Sequence, residues 1–343
     1  MKAIGYLTSQ DITAQDSLVD IDQPMPVATG RDLLVKVNAI SVNPVDTKVR
    51  KNVQPENGEY KVLGWDAVGE VVAVGEQVQF YNKGDKVWYA GDLTRPGTNS
   101  EYHLVDEQIV GHKPTSISDA EAAALPLTTI TAWELLFDRL GLAPCGSAHA
   151  SAEQQVLIIG AAGGVGSIIV QLAARLTDAV VIGTASRPES QQWVTACGAD
   201  IVIDHRKPLQ EELNKVGLSS VTHVVSLNGT TEHFDSIAEV IAPQGKFALI
   251  DDPDQPLDIM KLKMKSVSLH WECMYTRSMF NTSDIAKQRD LLNEVAGLID
   301  AAEIKTTRGE HFGPINAENL KRAHIAVESG TVIGKIVLEG FGH

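Results

Sequence analysis

Residues 156–167 read Val-Leu-Ile-Ile-Gly-Ala-Ala-Gly-Gly-Val-Gly-Ser. An apolar run enters the glycines, and a helical run leaves them. Aligned on the last glycine, the turn is A-x-G-x-x-G, with Ala161, Gly163 and Gly166 at the fixed positions. Gly160 stands just before it, and Gly164 and Val165 lie between. Gly163 lets the backbone approach a pyrophosphate, and Gly166 lets the helix pack close on the strand. The free N–H groups at the helix start then face the phosphates. The chemistry implied is dinucleotide binding, with a tight strand–helix turn of some other doubly wound protein as the bland alternative.

The tip of the next strand selects the nucleotide. Chains that bind NAD usually carry an acid about 20 residues on, for the ribose 2′-hydroxyl. Here the tip reads Gly183-Thr-Ala-Ser-Arg187, and Glu189 comes only two residues later. Ser186 could hydrogen-bond a 2′-phosphate and Arg187 could fork onto it, which favours NADPH. The bland alternative for Arg187 is a solvated loop charge. Asn228, in Asn228-Gly-Thr-Thr231, follows the strand Val221–Ser226. Loops at the carboxyl ends of parallel strands line the ligand crevice, so this one is expected near the cofactor.

The elements that carry these residues change texture along the chain. Leu33–Ile40, Val68–Val74 and Gly84–Ala90 are short strands separated by Gly, Pro and Asn, which suggests a compact, barrel-like β domain. Asp119 is positioned to cap a helix from Ala120, and Thr131–Leu140 also looks helical. A small-residue loop is expected at Gly141–Gln154. Strands at Val156–Ile159, Ala179–Ile182, Ile201–Ile203, Val221–Ser226 and Lys246–Ile250 then alternate with helices at Val165–Leu176, Glu189–Cys197 and Thr231–Ile241. That alternation predicts an α/β fold, a doubly wound parallel sheet with helices on both faces. Val267–Tyr275 is a further strand, Ile285–Ala302 a helix, and Thr331–Leu338 a closing strand expected to rejoin the N-terminal β domain.

Composition removes several partners. The chain has 343 residues, 29 basic and 44 acidic, for a formal net charge of −15. Such a surface repels phosphate backbones, so nucleic acid is not an expected partner. Three cysteines, Cys145, Cys197 and Cys273, form neither a disulfide framework nor a metal knuckle. Reduced thiols fit a cytoplasmic protein. Met1–Gln10 lacks the apolar core of a signal peptide, and no run approaches the ~18 apolar residues of a membrane span.

With these pieces in hand, the chain resembles the medium-chain dehydrogenase/reductase superfamily, in its quinone oxidoreductase and zinc-type alcohol dehydrogenase-like branch. The resemblance covers essentially the whole chain. Its pieces are Ser41-Val-Asn-Pro-Val-Asp-Thr-Lys-Val-Arg50, Leu63-Gly-Trp-Asp-Ala-Val-Gly-Glu-Val-Val72 with Gly84-Asp-Lys-Val-Trp88, Leu127-Thr-Thr-Ile-Thr-Ala-Trp133, the glycine turn, and Gly334-Lys-Ile-Val-Leu338. It implies a GroES-like domain at residues 1–126, a Rossmann NADPH-binding domain at 127–285, and a return to the first domain at 286–343. It also implies a homodimer, with Val267–Tyr275 paired to its copy.

The departure from the family concerns zinc. Zinc alcohol dehydrogenases of this superfamily carry a Cys near Pro44 or Val45, and Gly-His-Glu where this chain has Gly64-Trp65-Asp66. A catalytic zinc needs three good protein ligands, and Pro, Val and Trp are none. Ala90–Glu101 has no cysteine for a structural zinc either. His103 and His112 read as surface or packing residues. No zinc is expected.

The resemblance marks further site residues. Asn43 lies in the Asn-Pro-x-Asp turn at the family's active-site cleft, with a plain turn as its alternative; Asp46 reads as a helix cap. Trp65 fills the empty metal site, as a wall of the substrate pocket or as a structural aromatic. Thr131 matches a position beside the nicotinamide, or is a buried hydroxyl. Lys335 matches a position near the cofactor, or is a surface lysine. The expected activity is NADPH-dependent, zinc-independent reduction of quinones or α,β-unsaturated carbonyls. A zinc-type alcohol dehydrogenase and a non-catalytic NADPH-binding sensor stay open as rivals.

Overall fold

The computed structural model describes residues 1–147 and 153–342, and every count and absence below refers to those residues. Residues 148–152 of the expected small-residue loop lie outside them. The chain divides into two compact units, Met1–Ile130 with Tyr275–His343, and Thr131–Met274.

The first unit begins with strands β1 (Lys2–Tyr6), β2 (Val19–Asp22), β3 (Asp32–Val42), β4 (Lys61–Val62), β5 (Ala67–Val74), β6 (Lys86–Tyr89), β7 (Tyr102–Asp106) and β8 (Val110–His112). Helix α1 (Pro44–Asn52) follows β3; α2 (Asp119–Ala123) and α3 (Pro126–Trp133) follow β8. The second unit runs β9 (Gln155–Ile159), α4 (Gly164–Leu176), β10 (Val180–Thr184), α5 (Pro188–Ala196), β11 (Ile201–Ile203), α6 (Leu209–Lys215), β12 (Val221–Ser226), α7 (Thr230–Val240), β13 (Ile241–Leu249) and β14 (Ser268–Trp271). The chain then returns to the first unit with α8 (Thr276–Met279), α9 (Lys287–Asp300), β15 (Arg308–His311), α10 (Ala317–Glu328) and β16 (Lys335–Glu339).

In the first unit the main sheet has the order β15-β16-β3-β5-β6-β8, with β7 also on β3; β2-β1-β4 form a second, smaller sheet. The eleven-residue β3 is its spine. Register shifts at Leu34/Val35 and Val37/Ala39 against β5 interrupt the ladder. Such irregularities bend a strand and increase its twist, which lets a sheet curl. Antiparallel pairing of Ile336 with Val42 brings the last strand of the chain alongside the end of β3.

The second unit holds one parallel sheet, ordered β11-β10-β9-β12-β13-β14. Its central strand β9 is an almost continuous apolar run, as a parallel strand covered on both faces requires. Val156, Leu157, Ile158 and Ile159 are all at most 2% exposed, and Leu157, Val224, Phe234, Ile237 and Phe247 share one core. Strand order reverses beside β9: the chain goes outward to β10 on one side and to β12 on the other. The carboxyl ends of β9 and β12 therefore flank a topological switch point, where open α/β sheets bind ligands.

Local details differ from the sequence expectations in places with simple causes. The cap of α2 is Ser118, not Asp119: its Oγ accepts from the Glu121 N–H, and the Glu121 carboxylate accepts from the Ser118 N–H at 2.9 Å. Ser-x-x-Glu is a capping box, and both partners are satisfied. The helix expected over Thr131–Leu140 is split. After Trp133 the coil widens to a π-turn over Glu134–Arg139, with the Leu140 N–H on the Leu135 carbonyl. The strand expected from Thr331 starts only at Lys335.

Three histidines are buried as neutral rings. Burial pushes His324 down to about 3, and His103 and His223 down to about 4. Neither ring nitrogen of His324, on α10, has a hydrogen-bond partner. A depressed folded pKa means that the unfolded chain takes up its proton first as the pH falls below about 6.5. Stability is therefore lost from about pH 6.5 down to about 4 through His103 and His223, and down to about 3 through His324. Replacing His324→Leu should flatten that loss by about one proton, or ~1.4 kcal/mol per pH unit. Urea midpoints taken across this range measure the slope, and an unchanged slope would assign the acid sensitivity elsewhere.

Candidate active site and family

In the first unit the candidate residues converge on a buried carboxylate. Asp66 precedes β5 and is 0% exposed. Four donors reach it. Ser41 Oγ, from β3, donates to Oδ2 at 2.8 Å, and so does Asn43 Nδ2. Lys335 Nζ, the first residue of β16, donates to the same oxygen at 2.9 Å. The Leu127 N–H, in the first turn of α3, donates to Oδ1 at 2.7 Å. Lys335 also donates to Asn43 Oδ1, so the amide of Asn43 is used at both ends. Lys335 is 3% and Asn43 1% exposed. Neither is a surface residue.

Asn43 is also the N-cap of α1, and its N–H donates to Asp46 Oδ2 at 2.8 Å. Asp46 thus closes the helix start from inside the first turn. Burial pushes its carboxyl up to about 7, against the pull of the Asn43 N–H and of Lys335. A second, proton-holding carboxyl lies within the field of the first.

Trp65 is 1% exposed. Its Nε1 donates to the Asp92 carbonyl at 3.3 Å, and its ring meets Tyr275 edge-on, centroids 6.3 Å apart. It belongs to the same turn as Asp66, yet its side chain has different partners. His103 is a packing residue: its ring stacks on Tyr89, and its nitrogens are matched to the Tyr89 hydroxyl and the Pro96 carbonyl. His112 leans against Tyr81.

These donors do not fit a catalytic zinc. Asp66 already accepts four hydrogen bonds, one of them from a buried cation that would repel a second cation. The neighbouring Pro44, Val45 and Trp65 offer no lone pair. Among the described residues, no group of three or more His, Cys, Asp or Glu could hold a metal ion.

In the second unit the glycine turn stands at the switch point. Gly160 has φ of +83°, and its N–H donates to Thr184 Oγ1 at 3.2 Å. A Cβ there would also lie 2.3 Å from Asn228 Oδ1. This contact brings two of the expected cofactor residues together across the ends of β9 and β12. A Cβ on Gly166 would lie 2.3 Å from the Gly160 carbonyl, so the helix could not approach the turn. Ala161 is fully buried against Gly183 of β10. Gly163, the N-cap of α4, differs from both: φ is −76°, and the nearest atom to an added Cβ is 3.6 Å away. Neither backbone strain nor internal packing demands a glycine there. Gly164 and Val165 open the helix, with Ser167 Oγ donating back to the Gly163 carbonyl at 2.7 Å. The cradle fits a dinucleotide pyrophosphate, since it offers helix-start N–H groups and no side chain at Gly163.

At the tip of β10, Ser186 is half-buried and Arg187 caps α5, its side chain 40% exposed and 3.8 Å from Glu189. Thr131, on α3, is 5% exposed. Sequence reasoning passed over two features. In the sequence Asp66 stands out only as the last residue of Gly64-Trp65-Asp66, and its acceptor role needs the pairing of β16 with β3. Arg206, whose Nη2 donates to the Ser186 carbonyl at 2.7 Å, gave no local signal.

A GroES-like β unit joined to a doubly wound parallel unit is the frame of an α/β oxidoreductase. Residues 29–115 match the alcohol dehydrogenase GroES-like domain family, and residues 197–338 the zinc-binding dehydrogenase family. A zinc-type alcohol dehydrogenase-like protein of Staphylococcus epidermidis is 35% identical over 98% of this chain and 99% of its own. The crystal structure of a putative zinc-dependent alcohol dehydrogenase protein from Rhizobium etli is 53% identical, with a TM-score of 0.95 over 100% of this chain and 99% of that one. A mycobacterial protein complexed with NADPH is 27% identical, with a TM-score of 0.82 over 99% of this chain and 100% of its own. The chain belongs to the medium-chain dehydrogenase/reductase superfamily and is an oxidoreductase of it.

The buried pair should show its own energetics. Lys335→Met leaves Asp66 as an uncompensated buried anion, at an expected cost of about 3–5 kcal/mol. Adding Asp66→Asn should return a large part of that loss. Urea unfolding of the two single variants and the double variant gives the coupling. Additive losses would mean that the charges do not stabilise each other.

Proposed function

We propose that this protein is an NADPH-dependent reductase of quinones and α,β-unsaturated carbonyls that works without zinc. The observation that carries the reading is the saturation of Asp66 by four donors, one of them the Lys335 ammonium. Zinc-dependent members use the metal as a Lewis acid for an alkoxide. Here the corresponding turn carries an internal ion pair instead. A conjugated acceptor does not need that help, because the charge it develops spreads over the π-system. What such a substrate requires is positioning in an apolar site.

Gly160, Ala161, Gly163, Gly164, Val165 and Gly166 form the proposed pyrophosphate cradle, with Asn228 against Gly160. Ser186 and Arg187 are the proposed partners of the 2′-phosphate, in line with the mycobacterial relative that binds NADPH. When bound, NADPH supplies the hydride. Asn43 and Lys335 hold their polar groups toward each other and Asp66, which keeps this turn in one arrangement. Trp65 and Thr131 complete the proposed set as apolar wall and hydroxyl.

The decisive assay is NADPH oxidation by purified, metal-analysed protein across a panel of quinones, enones and simple alcohols. Turnover of the conjugated acceptors, unchanged by EDTA, is expected. A loss on chelation that zinc restores would replace this reading by the zinc alcohol dehydrogenase. Tight NADPH binding with no turnover on any acceptor would replace it by a sensor. Gly163→Ala supplies the structural arm. It should leave thermal stability within about 1 kcal/mol, since the nearest atom to the methyl group is the Gly160 carbonyl oxygen at an uncrowded 3.6 Å, yet weaken NADPH at least about tenfold by blocking close approach.

We also propose a homodimer through β14. It is the edge strand of the parallel sheet, and Ile259, Met260, Met264 and Trp271 nearby are 59%, 62%, 90% and 56% exposed. An apolar, unpaired strand edge is a surface that soluble proteins normally cover. Light scattering should give twice the chain mass, and Met264→Lys with Trp271→Lys should halve it; a monomeric parent protein would end the idea.

A further inference from the structure

We infer that Arg206 is a second recognition residue for the 2′-phosphate, acting beside Arg187 and decisive for NADPH over NADH. The inference rests on the NADPH reading above and names a residue that the glycine turn and the β10 tip do not reveal.

The register of the parallel sheet makes the case. Thr184 of β10 pairs with Ile203 of β11, so the two strand tips emerge side by side. One tip continues as Ala185-Ser186-Arg187, the other as Asp204-His205-Arg206-Lys207. The Ala185 N–H reaches the Ile203 carbonyl at 2.9 Å, which ties the tips together one residue beyond the strands. Arg206 then bridges them. Its Nη2 donates to the Ser186 carbonyl at 2.7 Å and to Asp204 Oδ2 at 2.8 Å, while Nε donates to Asp204 Oδ1 at 3.1 Å.

Those bonds fix the guanidinium and leave a defined part of it over. Both Nη2 protons and the Nε proton are used. Nη1 keeps its two N–H donors, with no partner among the described residues, on a side chain that is 64% exposed. An oriented pair of N–H donors beside Ser186 matches phosphate geometry, which is what arginine offers and lysine does not.

Asp204 would otherwise argue against an anion. It is 7% exposed, and the Arg206 guanidinium holds its carboxyl down at about 2. Both its oxygens are occupied by that one side chain. With the Arg206 N–H also on Oδ1, three of about four acceptor sites are taken on a buried side chain, and the acid serves to aim the arginine. The charges around the two tips are Arg187, Arg206 and Lys207 against Asp204 and Glu189, with Glu212, on the Asp204 N–H, offset by Lys215, which leaves a local excess of one positive charge. That excess sits in a chain whose total is −15.

The rival account is that Arg206 only braces the two tips. Calorimetry with 2′,5′-ADP and 5′-AMP separates the two, because the probes differ by the 2′-phosphate at this end of the site. The unmodified protein should prefer 2′,5′-ADP. Arg206→Gln should lower 2′,5′-ADP affinity by about tenfold to a hundredfold, the worth of hydrogen bonds to a charged group, and change 5′-AMP less than about twofold. Equal losses on both probes, or no loss on either, would overturn the proposal. Arg187→Ala keeps this failure distinct from failure of the NADPH reading. If Arg187→Ala removes the preference and Arg206→Gln does not, only the role of Arg206 falls. If the unmodified protein shows no preference, the NADPH reading falls, and the role of Arg206 with it.

Discussion

Asp66 carries its carboxylate where water does not reach. An isolated charge in such a place costs several kcal/mol even after the protein relaxes around it, so everything nearby must answer to it. The answer here is assembled from β3 through Ser41, from the start of α1 through Asn43, from α3 through Leu127, and from β16 through Lys335. Lys335 and Asp66 are 269 positions apart in the chain. The pair therefore fastens the returning C-terminal strand to the N-terminal unit by charge as well as by the ladder of Ile336 on Val42. Asp46 obeys the same constraint differently. With no cation bonded to it, burial raises its carboxyl to about 7, so near neutral pH it can take up a proton where Asp66 keeps a salt bridge.

This arrangement gives the loss of zinc ligands a positive content. A turn that trades Gly-His-Glu for Gly-Trp-Asp could simply have left a hole. Instead, Trp65 turns its indole to the Asp92 carbonyl and the Tyr275 ring, and Asp66 is neutralised by a lysine. A fixed ammonium differs from a metal in one decisive respect: Lys335 spends two of its three donors internally, on Asn43 and Asp66, whereas a catalytic metal keeps an open coordination position for substrate. The proposed preference for conjugated acceptors follows from that difference.

Legibility from the sequence tracks the range of each interaction. The glycine turn was readable because its demands are local: Gly160 needs its backbone angle, Gly166 its close approach, and both lie within seven residues. The apolar strands of the second unit were readable because burial on both faces leaves an unbroken run. The helix Ala317–Glu328 was not, because its buried face is Ala317, Leu320, Ala323 and His324, only one of them a large aliphatic. Ser118 was missed as a cap beside the equally plausible Asp119, although Glu121 completes its capping box. Lys335 could be flagged by resemblance, but its partner could not be named, since an ion pair across 269 positions exists only once β16 lies on β3.

Arg206 shows the same limit at shorter range. Nothing in Asp-His-Arg-Lys announces a ligand, and an Asp two residues before an Arg reads as a surface pair. Its meaning comes from strand register: parallel neighbours in step bring Asp204 level with Ala185, and the acid then holds the guanidinium against the Ser186 carbonyl of the neighbouring tip. The absence of an acid at the tip of β10 is thus half of the charge pattern. The other half is an acid at the tip of β11 that is silenced by its own arginine. The first and second units apply one device twice. In each, a carboxylate is held by a cation: Asp66 by Lys335 of β16 in the interior, and Asp204 by Arg206, two residues further along the same tip, at the rim. The rim pair leaves both Nη1 donors over on an exposed side chain, and exposed donors to spare are what a phosphate requires.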